Sequence, residues 1–153
     1  MDHVELTHSA IDVNQISKLI GSKNCGAQSI FIGTTREDGD DVKVEKLVYE
    51  AYESMAIKMM KTVCGELRAK WPLIENVAIC HRLGSVPVGE TSIVIAVSSP
   101  HRKDALEAVH FAIDRCKAVV PIWKKEVFSE NGISRWMENK ECEWSSSNAE
   151  LTS

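Results

Sequence analysis

Apolar positions recur along this chain with two different periods. Between Asp12 and Gly21 they fall at Val13, Ile16, Leu19 and Ile20, one face of a short helix with Asp12 as its cap and Gly21 past its end. A second helical stripe runs through Ile57, Met60, Cys64 and Leu67, with Met59 and Val63 beside it. Ser54 is its predicted cap, and Trp71-Pro72 ends it, because the residue before a proline avoids the helical region. A third helix, opening near Pro100 and closed by Pro121, presents Ala105, Ala108, Val109, Ala112, Ile113 and Cys116 as its buried face.

The stretches between these helices read as strands. Met1 to Thr7 is a weak first strand, and residues 26 to 35 have the β-branched and aromatic content of a buried one. The EDGD turn signal at 37–40, followed by VKVEKLVYEAY, predicts a hairpin. Asn76 to Leu83 and Thr91 to Ser98 are two more strands, joined by GSVPVGE. A last hairpin is expected from KKEVFSE and ISRWMEN about Asn131-Gly132. The sum is α+β: three helices packed on a mostly antiparallel sheet, in a single domain over 1–144. Residues 145–153 are expected to be a disordered polar tail.

Bulk properties narrow the function. A chain of 153 residues, 44% hydrophobic and 26% charged, suits one well-buried soluble core. No apolar run is long enough to span a membrane, and the acidic start does not read as a signal peptide. Five widely spaced cysteines with no CxxC argue against a disulfide framework and for a reducing, cytosolic setting. The net charge of −4 disfavours nucleic acid. Positive charge is nonetheless concentrated at Arg102, Lys103, Arg115, Lys117, Lys124 and Lys125, which suits a small anion better than a long polyanion.

Candidate chemistry follows from that concentration. Cys116 adjoins Lys117 and reads either as a thiol nucleophile or as one more apolar position on its helix. His81 shares a strand face with Val77, Ile79 and Leu83 and reads as a core or edge histidine. The chain has neither a zinc-ligand spacing nor a glycine-rich phosphate loop, so no metal site is expected. His101-Arg102 follows a strand and opens a helix, where free backbone N–H groups and two side-chain donors would make an anion site. Arg36 stands at a sheet edge.

Lys117 and Lys124 bracket a dry, proline-stiffened wall, Val119 to Trp123. Each has a structural explanation, as helix-end charge or as a lysine snorkelling past Trp123. Together, at a separation of about 7 Å, their ammonium groups would repel by roughly 2 kcal/mol at an effective dielectric near 20. A lysine so placed serves as acid, base or nucleophile, and a bound anion relieves the repulsion. A straight helix from 101 to 117 spans about 24 Å, too far for both cationic clusters to share one small pocket in one chain. A symmetric dimer would reunite them by setting one chain's helix start beside its partner's helix end.

FIGTTR, the YEAY strand, HRLGSVPVGE, VSSPHR, the AIDRCK helix and VPIWKKE occur in that order from about residue 25 to Trp144. Together they resemble the large, catalytic subunits of molybdopterin synthase in their eukaryotic form. The resemblance implies a hammerhead-like fold and a cytosolic sulfurtransferase of molybdenum cofactor biosynthesis. Such an enzyme would convert cyclic pyranopterin monophosphate into molybdopterin by installing a dithiolene. Sulfur would arrive as a thiocarboxylate on the C-terminal Gly-Gly of a small ubiquitin-like subunit, within a heterotetramer built on a homodimer core. By motif position, Lys117 and Lys124 are implied to be catalytic. Arg36, His101 and Arg102 are implied to contact substrate, as are Lys125 and Glu126, which adjoin Lys124.

On this reading Arg36, with His101 and Arg102 from the partner chain, binds the cyclic phosphate. Lys117 polarises the thiocarboxylate or shuttles protons, Lys124 assists, and the apolar wall keeps water away. No cofactor or metal is implied for the step. One departure is the acidic EDGDD after Arg36, which weakens any ligand contact from that loop. The alternative is a non-catalytic module that grips an acidic partner through residues 117–125.

Overall fold

Two strands are apolar on both faces, and they organise the molecule. In β4 (Asn76–Arg82) residues 77–81 are all buried, and in β6 (Thr91–Ser99) residues 94–99 are. Strands of this kind need cover on each side. The computed structural model describes residues 1–37, 43–129 and 134–137. It places β4 and β6 at the centre of a sheet ordered β1-β4-β6-β2, with β1 (Asp2–Thr7) and β2 (Ala27–Thr34) outside them. One face is covered by α1 (Val13–Ile20), whose Ile16 and Ile20 pack on Ala78, Cys80, Val94 and Ala96. The other is covered by α2 (Glu53–Lys70) and α3 (Arg102–Val119) in the main core. There Met60, Val63 and Leu67 meet Val77, Ile79, Ile95 and Val97, along with Ala108, Ala112 and Ile113.

A second sheet is ordered β5-β3-β7-β8, built from β3 (Val44–Ala51), β5 (Gly84–Pro87), β7 (Ile122–Phe128) and β8 (Ser134–Met137). Every pairing in it is antiparallel, and β1 with β4 is the parallel pair of the first sheet. The expected class, three helices on mostly antiparallel strands, is the one observed. The chain passes from one sheet to the other at Leu83–Gly84. Gly84 has φ +80, a left-handed conformation that glycine adopts without steric cost.

Several local expectations need correction. The hairpin expected from residues 26–35 and the strand after EDGD does not form. β2 pairs with β6 from Ala27↔Ser99 to Ile32↔Val94, and β3 joins the other sheet. A turn signal reverses the chain without choosing the partner, and β6 offers β2 a longer apolar match. The strand also breaks register between Gly33 and Thr34, which redirects it. Ser54 does not cap α2: Tyr52 precedes the helix without a side-chain cap bond, its N–H held by the Pro121 carbonyl at 3.2 Å. Leu19 is 40% exposed and so is not part of the buried face of α1. Within GSVPVGE a short strand, β5, pairs with β3.

Other expectations hold. Asp12 accepts from the Gln15 N–H at 3.1 Å, and all six residues of the predicted α3 face are buried. β7 and β8 form the last antiparallel pair. The acidic run at 38–41, the Asn131-Gly132 turn, Cys142 and the 145–153 tail lie outside the described residues.

Candidate active site

The end of α3 and the start of β7 stand on either side of Pro121. Because Val120 leaves the helix in an extended conformation, the chain reverses within two residues and β7 runs back beside β3. That reversal brings both lysines to one cavity of about 520 Å³, at the junction of the two sheets. Lys117 borders it from α3, and Lys124 and Glu126 border it from alternate positions of β7. Across the β3–β7 ladder their partners Tyr49 and Leu47 face the same space. Val120, Ile122 and Trp123 supply the apolar wall, and Arg36 reaches the cavity from beyond the end of β2.

The residues singled out from the sequence therefore divide. Arg36, Lys117, Lys124 and Glu126 meet in one cavity. Lys125, between two cavity-facing positions of β7, does not line it. His101 and Arg102 are exposed at the opposite end of α3, an 18-residue helix about 27 Å long, and do not line the cavity of their own chain. His101 precedes the helix in an extended conformation with no side-chain cap bond, its carbonyl accepting from the Ser99 hydroxyl.

Two cavity residues were not assigned a role from the sequence. His81 is 8% exposed, and its Nδ1 lies 2.7 Å from the Arg82 carbonyl oxygen. Burial above all holds its pKa down to about 4, with the Lys124 charge adding to the effect, so the imidazole is neutral at pH 7. Tyr49 stands edge-on to it, ring centroids 4.8 Å apart and planes at 67°. Burial raises the Tyr49 phenol, and the nearby Ser92 side chain partly offsets that. The sequence held one signal for this pair: alternation puts His81 on the side of β4 that faces the α2/α3 core. What lies above it is decided by the second sheet.

Cys116 borders the same cavity, but burial pushes its thiol up to about 12, with Cys64 and Glu66 adding to the rise. A thiol in that state is protonated at neutral pH and a poor nucleophile. Among the described residues, the grouping with metal-ligand chemistry is His3, Glu5 and Cys80, on the α1 side of the first sheet and away from the cavity. Its members are already engaged: His3 Nε2 lies 3.2 Å from Glu5 Oε2, and the Cys80 thiol, raised to about 12 mainly by burial, donates to the same oxygen. No helix among the described residues is long and apolar enough to cross a membrane.

Comparison with known proteins agrees with this architecture. The family model described as MoaE protein matches residues 6–119. Molybdopterin synthase catalytic subunit 2 of Aedes aegypti is 56% identical over 148 residues, covering 96% of either chain. The crystal structure of molybdopterin synthase from Staphylococcus aureus superposes with a TM-score of 0.83 at 40% identity, over 88% of this chain and 96% of that one. A Helicobacter pylori chain, solved as a complex of subunits 1 and 2 of molybdopterin-converting factor, shares the fold. Its TM-score is 0.74 at 22% identity, over 90% of this chain and 91% of its own. With a family match over well more than half its length and a relative this similar from end to end, the chain belongs to the MoaE protein family.

Proposed function

We propose that this chain is the catalytic subunit of a molybdopterin synthase and that the cavity between its sheets is where sulfur is transferred. The donor is the C-terminal thiocarboxylate of a small ubiquitin-like subunit, and the acceptor is cyclic pyranopterin monophosphate, which becomes the dithiolene of molybdopterin. One observation carries the reading: Lys117 and Lys124, separated by a helix end and a proline, converge with Arg36 on a single cavity that has an apolar wall.

Each part of that cavity has a task. The Arg36 guanidinium suits the phosphate, since its planar fork of donors matches phosphate oxygens. The two ammonium groups attract the anionic sulfur donor and lower the cost of charge that develops as a carbon–sulfur bond forms. Val120, Ile122 and Trp123 keep bulk water from the thiocarboxylate before it reacts. Glu126 faces the same space, and its carboxylate is of a kind that accepts from substrate N–H groups.

The exposed His101 and Arg102 enter through a second copy of the chain. In a two-fold dimer the start of one α3 lies beside the cavity of its partner, which completes the phosphate site. A small subunit on each copy makes the assembly a heterotetramer; the Helicobacter pylori complex of subunits 1 and 2 supports a partner of that kind. Its tail must reach the lysine pair. The four described cysteines are all free thiols, which supports the expectation of a cytosolic protein.

The test mixes this chain with a thiocarboxylated small subunit and cyclic pyranopterin monophosphate and assays dithiolene. Product is expected from the wild type and is lost in Lys117→Ala while the tetramer persists. A verified, bound carrier that yields no product would reject the reading. Small additive losses of carrier binding across the lysine variants, with no turnover to lose, would favour the non-catalytic module instead.

A further inference from the structure

The cavity is walled by two sheets that no strand pairing among the described residues joins, so something other than such a β-ladder sets how far apart their functional side chains stand. Lys124 belongs to the second sheet, and Arg36 follows the edge strand of the first. Tyr49 is the link between them. It pairs directly with Lys124 in the β3–β7 ladder, so the two side chains leave the sheet on one face with β-carbons about 5 Å apart. Its ring reaches across to the first sheet. The edge rests against His81 of β4, and both Tyr49 and Ser92 of β6 line the cavity. The Ser92 hydroxyl donates to the Gly33 carbonyl at 3.2 Å, three residues before Arg36.

His81 itself is fixed. A carbonyl oxygen only accepts, so the ring hydrogen sits on Nδ1, directed at the Arg82 carbonyl, and the ring cannot turn without losing that bond. A core that needed only volume here would use leucine, which carries no polar atoms to desolvate. From this arrangement we propose that His81 is a positioning residue: holding the Tyr49 ring edge-on across the sheet junction, it sets where Lys124 stands in the cavity. The consequence for catalysis rests on the sulfur-transfer reading given above. The geometric role does not.

Two measurements test it. Competitive acylation with a limiting amine reagent, read by mass spectrometry, gives the reactivity of Lys124 relative to Lys117 in the same molecules. His81→Leu is expected to change that ratio by about threefold or more, whereas general loosening of the fold would raise both lysines together. In the dithiolene assay the same variant is expected to lose about tenfold in kcat with the KM for carrier within about twofold, since small displacements of a reacting group cost rate before binding. In a Lys124→Ala background His81→Leu should add no further loss. His81→Asn, which keeps a donor for the Arg82 carbonyl but lacks the ring, gives the same reading if the leucine variant does not fold. An unchanged labelling ratio, or losses that multiply in the double variant, would overturn the proposal. If wild-type protein makes no dithiolene with a bound, thiocarboxylated carrier, the sulfur-transfer reading fails, and the labelling ratio alone then decides the role of His81.

Discussion

The two ends of α3 both carry cations, yet they differ in what surrounds them. At the start, His101 and Arg102 lie exposed and do not line the cavity at the other end. At the far end, Lys117 borders a cavity, because Pro121 turns the chain and β7 brings Lys124 back toward it. A helix end offers charge and unpaired backbone groups wherever it occurs. It becomes a reaction site only when other elements exclude water and fix a second functional group against it. The start of α3 lacks that enclosure in one chain, which is why the proposal completes it with a partner.

The sharpest way to break this contrast is to remove the enclosed cation. Lys117→Ala is expected to lower kcat for dithiolene formation by about 10²–10³-fold, the scale of losing one charge-stabilising group, with carrier binding nearly intact. Arg102→Ala should cost less, about tenfold to a hundredfold, because its target is a charge already met by Arg36. The dimer idea makes a further demand on that pair. Mixing the two impaired variants and letting subunits exchange should raise activity to about a quarter of wild type, since half the dimers are mixed and each holds one intact site. No recovery would mean that both ends of α3 work within one chain or that Arg102 has no part.

Acidity probes the enclosure itself. The folded-state pKa of His81 is about 4, below the ordinary imidazole value of 6.5, so the unfolded chain binds the extra proton first. Its neutral burial among Tyr49, the Arg82 carbonyl and the Lys124 charge is favourable above pH 6.5, and the folded state loses stability as pH falls toward 4. The loss from this residue is about 3 kcal/mol. Denaturant midpoints between pH 7 and 4 should fall more steeply for the wild type than for His81→Leu. The smallest effect is expected at Cys116→Ser, whose activity should stay within about threefold, because the thiol there is protonated and buried. Complete loss in a folded Cys116→Ser protein would move the chemistry from the amines to sulfur.

Much of this molecule was legible because the signals are local. The buried face of α3 follows from spacing alone, and the Asp12 cap follows from residue type and position. The pairing of Lys117 with Lys124 was legible for a similar reason: a proline between a helix end and a strand can only turn the chain. Where reading failed, the decision was not local. EDGD predicted a reversal and said nothing of β6, which captured β2. Ser54 is a good capping residue, but the Pro121 carbonyl holds the Tyr52 N–H and sets the start of α2 two residues earlier than its capping would. His81 looked like core and is buried, yet its function depends on Tyr49, thirty-two residues earlier and in the other sheet.

By itself the sequence determined the helices and their inward faces, the apolar strands and the charge of the lysine pair, since each depends on periods of a few residues and on the chemistry of side chains. Tertiary structure decided which strands became neighbours, which cations share a cavity and which histidine stands behind Lys124. Those outcomes depend on surfaces distant in sequence competing to bury apolar area together, and that competition is settled only when the whole chain is packed.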